Sequence, residues 1–192
     1  MKLTAEEALR SIYAAYRLAR FDRNAVQYLD GTREAAIRSF WVAVILLPLW
    51  AINVVLLWVS VDAPLSVVRL LTVKVLFYVV SWTAFPVLMA LISFALYQGH
   101  RFALFLAAYN WAQLIQAALL VPLIALAFFG LIPDPLWQTL IFAYYGFVLA
   151  YEVFLIRVTL TLGWGEAAGL GVLDIALAFM MHSMSDRMVL NL

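Results

Sequence analysis

Polar and apolar positions separate along this chain into long blocks. After residue 39 five apolar runs follow one another, at 40–60, 75–97, 102–129, 136–162 and 167–184, with short polar interruptions between them. Each is close to the ~20 residues that an α-helix needs to cross the hydrocarbon of a bilayer. The pattern predicts an all-α fold, a polytopic membrane helix bundle with five transmembrane helices that fills 40–192 as one domain.

Residues 1–39 follow a different rhythm. Thr4 and Glu7 have the spacing of a capping box, in which hydroxyl and carboxylate satisfy free N–H groups of a helix's first turn. Beyond them Leu9, Ile12, Tyr13, Tyr16 and Ala19 recur at three- and four-residue steps, with Arg10, Arg17 and Arg20 at the sides or opposite. This predicts an N-terminal amphipathic helix at the interface, its apolar face in the lipid boundary and Arg10, Arg17 and Arg20 towards lipid headgroups. The competing reading packs the same aromatic stripe on the protein's own loops. Asp30 and Gly31 interrupt the pattern, and Thr32 is placed to cap a helix that passes through Arg38 into the membrane.

The interruptions between runs set the topology. Asp62 and Pro64 mark one turn, Gln98 to Arg101 a second, Pro133, Asp134 and Pro135 a third, and Gly163, Trp164 and Gly165 a fourth. Such short connectors make sequential helices antiparallel neighbours. Trp41 and Trp58 flank the first span at headgroup level. Arg69 and Lys74 are expected in an interrupted stretch at the interface, their long stems snorkelling. Pro48, Pro86 and Pro122 fall inside spans, where each removes a backbone hydrogen bond and kinks the helix.

The formal net charge is only +1, but Lys2, Arg10, Arg17, Arg20, Arg23, Arg33 and Arg38 all precede the first span. The positive-inside rule then places the N-terminus in the cytoplasm, together with Arg101, and the C-terminus on the outer side. A bacterial inner membrane is the expected location. With 67% hydrophobic and 12% charged residues and a mean hydropathy of +1.01, a water-soluble fold is excluded. Cysteine is absent, which rules out disulfides, thiolate chemistry and cysteine metal sites.

Ionisable groups inside spans are costly and mark a function or a buried partner. Counting ~1.5 Å per residue from the cytoplasmic helix ends puts Arg157 at ~9 Å, Asn110 and Asp174 at ~12 Å, and Glu152 and Gln113 at ~16 Å. Asn110, Gln113, Glu152, Arg157 and Asp174 therefore share a layer and form the candidate intramembrane cluster. Five residues separate Glu152 from Arg157, so the two point ~140° apart on one helix. Asp174 is the expected counter-ion of Arg157, and Asn110 or Gln113 the expected partner of Glu152. The cluster is either a set of interhelical hydrogen bonds that fixes the bundle or part of an ion path. A path needs an acid in the outer half, where only Lys74, Arg69 and Asp62 are expected near the surface. His100 and His182 lie ~24 Å apart in depth and cannot share a metal. No H-E-x-x-H, G-x-S-x-G or Walker loop is present. Gly165 and Gly169 form a G-x-x-x-G, read either as turn residues or as a helix contact face.

The layout resembles the Yip1-like family of five-span membrane proteins: a polar N-terminal region, a tight loop at Gln98 to Arg101 and a short one from Gly163 to Glu166. The likeness covers about 41–184 and implies the five-span arrangement. The D-L-Y-G-P signature of the eukaryotic members is not in the chain, so the resemblance carries over no site residue. Two function classes follow from the residues. One is a non-catalytic interaction, accessory or membrane-organising protein; the other is a small transporter or channel built on the polar cluster. The expected partners are the bilayer, anionic lipids at the N-terminal segment and other membrane proteins, with no nucleic acid, no cofactor and no enzymatic activity.

Overall fold

The computed structural model of the chain describes residues 3–60 and 66–190. Lys2 and the turn assigned to Asp62 and Pro64 lie outside these residues. The described chain is 87% helical and holds no strand, which settles the all-α class. Helices α1 (Ala5–Ala19), α2 (Arg33–Arg38), α3 (Trp41–Ser60), α4 (Val67–Ala95), α5 (Phe102–Phe128), α6 (Asp134–Leu160) and α7 (Trp164–Leu190) follow in order, with 3-10 segments at Arg23–Tyr28 and Gly99–Arg101. Five helices are long and apolar enough to cross a membrane, the first formed by α2 running almost without a break into α3. The protein is a multi-pass integral membrane protein.

Two span boundaries differ from the hydropathy reading. Arg69 and Lys74 lie within α4, which begins at Val67, and α7 continues past residue 184 to Leu190. At ~1.5 Å per residue, 27 to 29 residues extend ~40 Å, well beyond a hydrocarbon core of ~30 Å. Helical hydrogen bonding thus continues through the polar headgroup level, where apolar composition no longer marks it. At these ends Lys74 on α4 pairs with Asp186 on α7 at 2.6 Å.

The main packed pairs are α5 with α6, α6 with α7, and α7 with α4, while α3 rests more loosely against α4 and α5. The largest core lies in the half of the bundle nearest the N-terminal segment, where Phe85, Phe105, Tyr109, Tyr151, Phe154 and Leu155 meet Leu18 of α1. Lipid tails are as apolar as these side chains, so close packing and interhelical hydrogen bonds hold such a core together. Small residues allow the closest approach. A Cβ on Gly171 of α7 would come within 2.8 Å of Val153 on α6, whereas Gly165 and Gly169 face open space. The G-x-x-x-G pair is therefore not an intrachain contact face; Gly171 makes the close crossing.

Helix α1 docks on α5 and α6 through Ser11, Ala14, Ala15 and Leu18, all buried. Tyr151 fixes it by donating its hydroxyl to the carbonyl of Ala15 at 2.9 Å. Leu9, Tyr13 and Tyr16 of the expected aromatic stripe stay exposed on the other side. The side that packs on the protein is thus the small-residue side, because only short side chains let the two backbones come close.

Half of the capping box forms: Thr4 Oγ1 accepts from the Glu7 N–H at 3.2 Å. The Glu7 carboxylate instead takes Arg38 Nε, 2.9 Å from each oxygen, tying α1 to α2. Both side chains are less than one-fifth exposed. Glu7→Gln should therefore lower stability by about 1–2 kcal/mol, whereas Glu6→Gln, on the exposed side of the same turn, should leave it unchanged. Thermal unfolding midpoints in one detergent check the difference.

Candidate functional site

Helical periodicity assembles the site. On α5, Tyr109, Gln113 and Gln116 follow at steps of four and three and share a face; on α6, Tyr144, Val148 and Glu152 do so at steps of four. On α7, Asp174, Ala178, His182 and Asp186 recur every fourth residue. With Trp82 and Phe85 of α4 these faces enclose a cavity of about 840 Å³.

At one end of this cavity Glu152 and Asp174 lie near each other, both almost fully buried. Glu152 Oε1 accepts from Gln116 Nε2 at 3.2 Å, and Asp174 Oδ1 from the Tyr109 hydroxyl at 3.2 Å. Tyr144 donates to the backbone oxygen of Gln116 at 3.4 Å, joining α6 to α5 beside the pair. Gln113 adjoins Tyr109. Among the described residues Glu152 Oε2 has no donor, and no lysine or arginine lines the cavity.

A second cavity of about 710 Å³ continues towards the far side of the bundle and shares Ser81, Trp82, Ala178, Met181 and His182 with the first. Its polar end holds Lys74, Asp186 and His182, the last with Nε2 3.3 Å from Asp186 Oδ2. Polar groups thus descend α7 from Asp174 through His182 to Asp186. Counting from Trp164, they lie at depths of ~15, ~27 and ~33 Å.

Of the expected cluster, the structure brings Gln113, Glu152 and Asp174 together and separates Asn110 and Arg157. Asn110 is fully buried but donates to Ser39 Oγ at 2.8 Å, joining α5 to the α2–α3 junction. The expected pairing of Arg157 with Asp174 is not formed. The ~140° between Glu152 and Arg157 decides this: with Glu152 facing α7, Arg157 must point out of the cavity. Its guanidinium lies over the Trp164 ring, 4.4 Å from the centroid. Gln116, one turn beyond Gln113, takes the place foreseen for Asn110 or Gln113 as the partner of Glu152.

At the N-terminal segment the three candidate headgroup contacts differ. Arg17 is held by Asp22 and by the Tyr28 hydroxyl, the latter at 3.0 Å. The Asn24 backbone N–H, followed by Arg17, holds the Asp22 carboxyl below its usual range. Arg20 covers the Tyr16 ring at 5.7 Å, and Arg10 is exposed. Among the described residues no three His, Asp or Glu side chains gather as a metal site. Comparison with protein-family models, with curated proteins and with solved structures returned no match.

Proposed function

We propose that the protein is a small membrane transporter that takes an organic cation with an apolar body into the cavity between α4, α5, α6 and α7. The observation that carries this reading is the Glu152–Asp174 pair. Two carboxyls meet inside a membrane helix bundle, beside a cavity of ligand size, with no basic side chain of the described chain to neutralise them. Two carboxylates held near each other in the interior of a bundle repel, so both do not carry full charge without a counter-ion. A bound cation turns that repulsion into attraction, and Trp82, Phe85, Tyr109 and Tyr144 offer ring faces on which a cation is further stabilised. A purely structural role for the pair leaves the cavity beside it without an occupant. The interaction and accessory reading rests on the lack of catalytic motifs and of a soluble domain, which a small transporter shares. With α7 continuing through Asp186, an acid also stands on the far side of the bundle, as an ion path needs.

Uptake of tetraphenylphosphonium by proteoliposomes tests the proposal. Protein-containing vesicles should accumulate the cation faster than empty vesicles of the same lipid, with saturation; equal rates contradict it.

The basic residues before α3 support an orientation with the N-terminus in the cytoplasm and the far-side cavity facing outward. A cysteine near Asp134 should react with an impermeant thiol reagent added from outside and one near Gly99, at the exposed His100, should not. The opposite pattern reverses the direction of transport. The exposed Leu9, Tyr13 and Tyr16, with Arg10 and Arg20 beside them, would then lie at the cytoplasmic headgroup level, as an amphipathic surface suited to anionic lipid.

A further inference from the structure

Apart from the acidic cavity, the N-terminal side of the bundle carries a basic cleft of about 420 Å³. Arg23 comes from the 3-10 segment after α1, Arg101 from the turn before α5, and Arg157 from the last turn of α6. These positions are remote in sequence, yet the three arginines line one space together with Asn24 and Thr161. Among the described residues no carboxylate lines the cleft, and none of the three arginines has an ion pair. The nearest acids in sequence are committed elsewhere: Asp22 to Arg17 and the Asn24 N–H, Glu166 to the Gly163 N–H.

Two of the arginines are pinned. Arg101 Nε donates to the Thr159 carbonyl at 2.6 Å, and Arg157 lies against Trp164. The free carbonyls at the end of α6 explain why Arg101 is there, since cations favour a helix C-terminus. They do not explain Arg157, whose Nε is buried and has no partner among the described residues. Nor do they explain the convergence of Arg23. A buried donor without an acceptor costs ~1–3 kcal/mol, more when charged, and three like charges sharing a cleft add repulsion. An anion with several oxygens relieves that repulsion. Planar guanidinium forks match phosphate oxygens in particular, because each can offer two parallel donors.

We propose that Arg23, Arg101 and Arg157 form a binding site for a phosphate group at the N-terminal-side ends of α5 and α6. The level fits either the phosphate of a lipid headgroup or that of a soluble compound. The site stands on residues other than those of the cation cavity and is independent of it.

The test measures binding to the full-length protein in neutral detergent, in two arms. One titrates pyrophosphate at an ionic strength held constant with chloride. The other titrates phosphatidic acid into micelles, with phosphatidylcholine as the comparison. Saturable binding in at least one arm, weakened tenfold or more by Arg157→Gln and by Arg23→Gln but not by Arg33→Gln, is expected. Binding only to phosphatidic acid assigns the site to lipid, and binding only to pyrophosphate to a soluble phosphate. Arg23 is exposed, so its replacement keeps the test informative if Arg157→Gln fails to fold. No saturable binding in either arm, or binding that all three variants retain, overturns the proposal.

Discussion

Replacing both carboxyls, Glu152→Gln with Asp174→Asn, should abolish saturable uptake of tetraphenylphosphonium while leaving the protein folded. The amide oxygens can still accept from Gln116 and from the Tyr109 hydroxyl, so the hydrogen bonds at 3.2 Å persist and only the charge disappears. Loss of a desolvated ionic contact of ~3 kcal/mol or more corresponds to at least ~100-fold in affinity. Stability should stay level or rise, because removing buried charges that lack a partner is neutral or favourable. Either single replacement keeps one carboxyl and should give an intermediate loss. A double variant that melts at a much lower temperature would show instead that the pair holds the bundle together.

Gly171→Ala should destabilise the protein by about 1–3 kcal/mol, because one added methyl forces α7 away from α6. Its Cβ would sit 2.8 Å from Val153 Cγ2 and 3.5 Å from the Val153 backbone nitrogen. Gly169→Ala, two residues earlier in the same helix, meets nothing within 4 Å, and should be neutral or slightly stabilising through helix propensity. Unfolding midpoints of the two variants in one detergent check this. Equal effects would contradict the crossing geometry. The same crossing sets the azimuth at which Asp174 meets Glu152, so Gly171→Ala should also weaken cation uptake.

Much of the fold was legible because hydrocarbon imposes a simple rule. The five apolar runs, the tight turn at 98–101 and the Thr32 cap appear where composition places them. The break before the fifth span falls at 161–163, ahead of the expected Gly163, Trp164 and Gly165, because Trp164 and Gly165 already belong to α7. Helix ends were less legible, since α4 and α7 continue as helices into the headgroup level, where the sequence turns polar. That blurring hid Asp186 and with it the polar end of the second cavity. Within the candidate site depth alone was a poor guide. Asn110 and Arg157 match Glu152 and Asp174 in depth but point elsewhere, and helical angle separates them. The steps Tyr109, Gln113, Gln116 and Asp174, Ala178, His182, Asp186 contained the missing signal, because residues three or four apart share a face. The docking of α1 was harder to foresee. Its packed side consists of alanines, serine and one leucine, which carry little hydropathic signal beside the aromatic stripe that stays exposed.

The central claim is that Glu152 and Asp174 form a cation site inside the membrane. Equilibrium binding of tetraphenylphosphonium to the purified protein in neutral detergent, repeated at falling pH, tests it most directly. One cation per chain is expected, with affinity that falls as protons compete for the two carboxyls and that is lost in the Glu152→Gln, Asp174→Asn double variant. Absence of saturable binding, or binding of equal strength in the double variant, would contradict the account.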